Sequence, residues 1–299
     1  MDNKEFRANI FLLMTAAIWG FAFVAQRVGV KYVGAFTFNG VRFALGSASL
    51  IPLLLFFRNR PAENDKAEEH KETSPLKAGA IVGCILFAAA SLQQIGLVDT
   101  TAGKAAFITG LYIVLVPLFG IFLKHKVHGS TWGGVALAVI GLYLISVTES
   151  FTIAKGDLFE IAGSFFWAFH ILVIDHYTKK VDALKLSFVQ FATCSALSLI
   201  VALFTEKITM YGLAQALIPI LYGGIFSVGV AYTLQVVGQK HAKPAPAAII
   251  LSMESVFAAI GGLLLLHEIL GTRVYIGCAL MFAGMILSQV QSFSKGTEQ

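Results

Sequence analysis

The chain has 299 residues, of which 57% are hydrophobic and 13% charged, and it carries a formal net charge of +5. A soluble domain averages about 45–50% apolar and about 25% charged residues, so a water-soluble fold is excluded in favour of a membrane protein. The excess of Lys and Arg does not mark a nucleic-acid binder, because the basic residues fall in short bursts between apolar runs, as membrane topology dictates.

A helix needs about 20 apolar residues to cross the hydrocarbon. Runs of that kind lie at 9–30, 36–57, 76–98, 103–124, 130–148, 157–178, 184–205, 213–238, 244–267 and 271–292. They lack the alternation of barrel strands, and backbone satisfaction in lipid leaves helices as the alternative. The expected fold is therefore an all-α integral membrane protein of ten helices. The first run is followed by Gln26, Arg27 and Lys31 and not by a small-residue cleavage site, so it reads as a retained span. Between the second and third runs, 58–77 holds five basic and five acidic residues, the composition of a solvated cytoplasmic loop. With the N-terminus inside, fifteen Lys and Arg fall in cytoplasmic segments against six outside, Arg42 lying within a span. This bias places both termini in the cytoplasm. Cys84, Cys194 and Cys278 are scattered through apolar runs and read as packing residues.

The two halves of the chain resemble each other. At an offset of 142, Ala89, Leu92, Gln93, Gly96, Ala105 and Ala106 recur as Ala231, Leu234, Gln235, Gly238, Ala247 and Ala248. The series continues through Val114, Gly120 and Leu123 to Val256, Gly262 and Leu265, then with one added residue through Gly134 and Gly141 to Gly277 and Gly284. At an offset of 148, Trp19, Phe43 and Ser47 recur as Trp167, Phe191 and Ser195. The expected units are residues 1–150 and 151–299, each of five spans. An odd number of spans inverts the second unit relative to the first, and secondary transporters with such repeats bind substrate at the midplane between them.

Several stretches are similar to the EamA family of the drug/metabolite transporter superfamily. They are Leu12–Val24 (LLMTAAIWGFAFV), Val41–Gly46 (VRFALG), Leu111–Leu123 (LYIVLVPLFGIFL), Leu221–Leu234 (LYGGIFSVGVAYTL) and Ala247–Leu270 (AAIILSMESVFAAIGGLLLLHEIL). The resemblance implies ten helices, a central cavity built from helices one, three, four, six, eight and nine, and export of small metabolites, amino acids prominent among them. Pro117 keeps a proline in the fourth span, but Ser255 stands where the family pattern of the ninth has one. No proline is therefore available to break the ninth helix.

Glu254 lies in the middle of the ninth span, where a carboxyl group is costly and commonly functional. It can exchange a proton, meet a substrate ammonium or form a structural ion pair with Arg42, a residue that can equally bind a substrate carboxylate. Gln93 and Gln235 are either paired cavity amides or interhelical ties. Trp19 and Phe23 share a helical face. Trp167, Tyr112 and Tyr232 join Trp19 as an aromatic wall able to cup an ammonium or stack a planar solute, or simply as packing. His170, one turn beyond Trp167, is a further substrate-binding or proton-accepting group. His125 and His128 sit beside Lys124 and Lys126 at a span end without Cys or carboxylate neighbours, so no metal is expected. His267 and Glu268 read as a helix-end contact.

No nucleotide-binding loop or catalytic constellation is visible, so no enzyme and no cofactor is expected. The reading is a plasma-membrane secondary transporter that exports small metabolites, amino acids foremost, by alternating access around a central midplane cavity, with proton or substrate-exchange coupling. Its alternatives are a nucleobase, nucleoside, sugar or drug exporter and, from other classes, a lipid scramblase or a membrane-embedded enzyme.

Overall fold

In hydrocarbon a backbone N–H or C=O without a partner costs several kcal/mol, so each apolar run closes its hydrogen bonds within itself as a helix. The structure, a computed structural model, describes residues 3–57, 73–100, 102–125, 127–146, 154–265 and 271–294, and among these no strand occurs. The first half holds α1 (Asn3–Gly29), α2 (Ala35–Phe57), α3 (Pro75–Asp99), α4 (Ala102–Thr109), α5 (Tyr112–Phe122) and α6 (Gly129–Ser146). The second holds α7 (Lys155–Thr178), α8 (Ala183–Thr205), the short α9 (Met210–Gln215) and α10 (Leu217–Leu221), a π-helical segment (Tyr222–Tyr232), α11 (Thr233–Gln239), α12 (Pro244–Leu251), α13 (Glu254–Leu265) and α14 (Thr272–Ser294). Among the described residues nine stretches are long and apolar enough to cross a membrane, and α6 is apolar but shorter.

The fourth and ninth runs are not continuous helices. α4 gives way to α5 at Gly110–Leu111, and α12 to α13 at Ser252–Met253, each 142 residues apart. The local bonding is the same at both. The Leu111 and Ile113 amides donate to Ile108 and Gly110, and the Met253 and Ser255 amides donate to Ile250 and Ser252, all three residues back. The ninth run thus breaks although Ser255 stands where the family pattern has a proline. The cause is a 3₁₀ tightening, which needs none. Of the 58–77 loop, residues 58–72 lie outside the described residues, while Pro75 already starts α3 behind Ser74, whose hydroxyl accepts from the Leu76 amide at 3.3 Å. His267 and Glu268 also fall outside them.

Positions matched in the sequence repeat meet one another. Ser47 donates to the Phe188 carbonyl at 3.3 Å and Ser195 to the Gly40 carbonyl at 2.8 Å, a reciprocal pair that fastens α2 to α8. The rings of Phe43 and Phe191 lie 6.3 Å apart at the same crossing. α6 meets α14 through glycines: a Cβ on Gly134 would lie 2.6 Å from the Gly284 carbonyl, and one on Gly277 would lie 2.6 Å from the Gly141 carbonyl. Bare backbone on both helices is what permits this approach. At the far end of α8, the Glu206 carboxylate accepts from the Phe36 and Thr37 amides and the Thr37 hydroxyl at 2.9, 2.8 and 2.7 Å, capping the start of α2. A carboxylate is favourable there because it meets free amides and the positive end of the helix dipole.

Overpacking a tight contact costs about 1–3 kcal/mol. Gly277→Val is expected to lower the thermal unfolding midpoint in detergent. Gly129→Ala, where an added Cβ meets nothing within 4 Å, leaves it unchanged. Equal midpoints for the two variants would show that α6 and α14 do not need bare backbone.

Candidate functional site

The two helix breaks open on one central chamber. In 3₁₀ geometry side chains three apart eclipse, so Thr109 with Tyr112, and Leu251 with Glu254, are turned to the same side, and all four line the chamber. Tyr112 donates its hydroxyl to Glu254 Oε1 at 3.1 Å. These two residues are matched positions of the repeat, so the bond joins the halves at their equivalent points.

Trp19, Phe23 and Gln26 from α1, Arg42 from α2, Gln93 from α3, and Trp167 and Ile171 from α7 complete much of the wall. Ser227 and Tyr232 enter from the π-helical segment and Gln235 from α11. The Trp19 and Tyr232 rings lie 4.5 Å apart, the Trp167 ring 6.4 Å from Trp19 and 6.2 Å from Tyr232. The Trp19 indole donates to the Ser227 carbonyl at 3.2 Å, whereas the Trp167 indole nitrogen is buried without a partner.

Arg42 is 2% exposed, with its Nε donating to Asn39 Oδ1 at 3.0 Å and its guanidinium 4.9 Å from the Phe43 ring centre. Among the described residues neither Arg42 nor Glu254 has an ion-pair partner within 4.0 Å. The two face one chamber without pairing, which corrects the ion-pair reading and leaves a buried cation and a buried carboxyl group on the same wall.

The paired glutamines also line the chamber. The Gln235 amide oxygen is buried without a partner. Interhelical ties are made instead by other amides: Gln94 Nε2 donates to the Gln26 carbonyl at 3.3 Å, and Gln239 Nε2 to the Ile171 carbonyl at 3.0 Å. Gln94 adjoins Gln93 in sequence and so points elsewhere on the helix, one residue being a turn of about 100°.

His170 is the one expected site residue that the chamber wall does not include. It is fully buried, and its Nε2 lies 3.0 Å from Gln190 Oε1. The reason is angular, since it follows Trp167 by three residues and the wall continues at Ile171, four residues on. Sequence reasoning missed Gln26, Thr109, Ile171, Ser227 and Leu251. Only the breaks and the π-helical segment bring Thr109, Leu251 and Ser227 to the wall, and Ile171 is unremarkable among apolar neighbours.

The free volume of the chamber is about 30 Å³, room for about one water. A larger cavity of about 600 Å³ opens nearby, with Val116 on its wall one turn along α5 from Tyr112. Lys179, Lys240, Lys243, His125, His128 and His241 line it, with Asp175 paired to Lys179.

A bundle of apolar helices closing on a small polar chamber is the construction of a membrane transporter. The model of the EamA-like transporter family matches residues 6–147 and 154–289, and the chain belongs to that family. It is 30% identical over 286 residues to an uncharacterized transporter of Archaeoglobus fulgidus, covering 95% of this chain and 86% of that one. It is 21% identical to the uncharacterized transporter YoaV of Bacillus subtilis, covering 93% and 94% of the two chains. A solved crystal structure superposes with a TM-score of 0.76 at 17% identity, covering 95% of this chain and 96% of that one, and so shares the fold.

The two kinds of glutamine separate in experiment. Gln94→Ala and Gln239→Ala each remove an interhelical bond worth about 0.6–2 kcal/mol and are expected to lower the unfolding midpoint. Gln93→Ala and Gln235→Ala are expected to leave it in place. The reverse ranking, read by thermal unfolding of the purified protein, would make the chamber amides structural.

Proposed function

We propose that the protein is a ten-helix secondary transporter of the plasma membrane that exports amino acids. Residues 1–150 and 151–299 form two inverted five-helix halves, with both termini in the cytoplasm and α6 as the fifth span of the first half. The reciprocal serine bonds between α2 and α8, the glycine contacts between α6 and α14 and the Tyr112–Glu254 bond all support a two-fold relation. With five spans per half, that axis lies in the membrane plane.

The observation that carries the substrate class is the unpaired Arg42 and Glu254 on one wall beside an aromatic cluster. A zwitterion satisfies both: its carboxylate meets the guanidinium, and its ammonium meets Glu254 and the ring faces of Trp19 and Tyr232. Gln93 and Gln235 offer amide donors and acceptors from the two halves. Neither charged group has to be stripped of water without gaining a partner, which would be costly.

The chamber holds about one water, so in this conformation it is closed. The 600 Å³ cavity, lined by Lys179, Lys240 and Lys243, lies at the end that the positive bias assigns to the cytoplasm. Transport follows when the α4–α5 and α12–α13 breaks flex and the chamber opens first to that cavity and then to the opposite side. Binding drives such a change only through contacts that differ between the two states. The break residues Tyr112 and Glu254 are placed to supply them. No step of this cycle needs bond chemistry on the substrate.

Counterflow in proteoliposomes with labelled amino acids, nucleobases and sugars tests the reading. Saturable exchange of amino acids is expected. A hydrogen bond to a charged group is worth about 1.5–3 kcal/mol, so Gln93→Ala and Gln235→Ala should each raise the half-saturating concentration by about 10–100-fold. Exchange confined to nucleobases would transfer the aromatic wall and its glutamines to a planar solute. Movement of lipid without any solute exchange would make the protein a scramblase.

A further inference from the structure

Behind the chamber wall lies a carboxyl group that this transport cycle leaves unused. Glu160, in the second turn of α7, has 0% of its surface exposed. Thr109 donates its hydroxyl to Oε2 at 2.9 Å, while Oε1 is buried without a partner. The group is pressed against bare backbone of α3, where a Cβ on Gly96 would lie 2.7 Å from Oε1. Within electrostatic reach of it are Asp157 on its own helix and Glu254 on α13. Among the described side chains no cation lies within 4.0 Å of it.

A buried carboxylate with one bare oxygen and no cation is poorly compensated. The neutral acid needs less solvation and brings a donor of its own. A group left in that balance inside a membrane exchanges a proton if water can reach it. The polar atoms around Glu160 are ordered along α7. One turn nearer the helix start, Asp157 accepts from the Thr100 hydroxyl and from the Ala154 amide, both at 2.7 Å. On the other side of Glu160, Thr109 is at once its hydrogen-bond donor and part of the chamber wall.

We propose that Glu160 is the proton site of this transporter, loaded from the Thr100–Asp157 end of α7 and unloaded into the chamber past Thr109. The proposal rests on the transport reading above, whose orientation puts that end outside. In the loading step a hydronium ion at the outer end gives up its proton, and an O–H bond forms on Glu160. In the unloading step that bond breaks, water in the opened chamber takes the proton, and the carboxylate returns. One positive charge moves inward for each substrate exported, and nothing is oxidised or reduced.

The coupling runs through the helix break. A hydroxyl bond to a carboxylate is about twice as strong as one to a neutral acid, so protonation slackens the hold of Glu160 on Thr109. Thr109 is the last residue of α4, and Tyr112, eclipsed with it across the 3₁₀ turn, holds Glu254. Loading Glu160 therefore loosens the hinge that shapes the substrate site.

The test compares wild type, Glu160→Gln and Thr109→Val in proteoliposomes, with infrared difference spectra of the purified proteins between acid and alkaline pH. Wild type is expected to accumulate substrate about tenfold for each pH unit of an imposed gradient if one proton moves per substrate. Glu160→Gln keeps the shape and the Thr109 bond, so counterflow at equal pH persists while gradient-driven accumulation is lost. A carboxyl band present in wild type disappears in that variant. Thr109→Val keeps the band and weakens the drive, which separates coupling from folding. Gradient-driven accumulation intact in Glu160→Gln would overturn the proposal, as would the absence of any carboxyl band that the substitution removes. If no solute in the panel exchanges but the band is present and lost on substitution, the proton site stands and the transport reading falls.

Discussion

The constraint on which this structure depends is the absence of water from the hydrocarbon. Every backbone donor and acceptor in a span must find a partner within the protein, and a continuous helix is the simplest solution. Departures from it are permitted only where protein or a polar cavity surrounds them. The two breaks at Gly110–Leu111 and Ser252–Met253 obey that rule: both tighten into three-residue bonds, and both face the central chamber. The π-helical segment follows the same logic, since two of its residues, Ser227 and Tyr232, reach the chamber wall. Irregular backbone and the chamber occupy one place for one reason.

Helices in lipid gain nothing from simple apolar contact, so their association has to come from close packing and from polar ties. The first is supplied where Gly134 and Gly141 meet Gly284 and Gly277 and carbonyls approach to distances a methyl group would forbid. The second comes from Ser47 and Ser195, from Gln94 and Gln239, and from the Glu206 carboxylate at the start of α2. Each of these bonds joins helices distant in sequence.

The chamber gathers an arginine without a carboxylate partner among the described residues, a carboxyl group bonded only to a tyrosine, and amides with an unpartnered oxygen. Outside it other buried polar atoms also lack a partner, Glu160 Oε1 and His170 Nδ1 among them. The matched glutamines differ from their neighbours in what they face: Gln94 Nε2 donates to a backbone carbonyl of α1, while Gln93 lines the chamber.

Much of this was legible in the chain. Ten apolar runs, an internal offset of 142 and the charged, amide and aromatic groups Arg42, Glu254, Gln93, Gln235, Trp19 and Trp167 of the chamber wall followed from residue type, because charge and amide groups inside an apolar run are too costly to be incidental. The angle of a side chain around its helix is not written in residue type, and so His170, three residues from Trp167, was assigned to the chamber and lies outside it. Nor did the chain announce the helix breaks, since the second contains no proline and its 3₁₀ turn is made by ordinary residues. The sequence by itself determined that the protein is helical and lies in a membrane, because solvation in lipid depends on composition alone. Only the tertiary structure decided which polar groups face one another and which remain unpaired, because that depends on the rotation and crossing of helices whose contacts are made far apart in the chain.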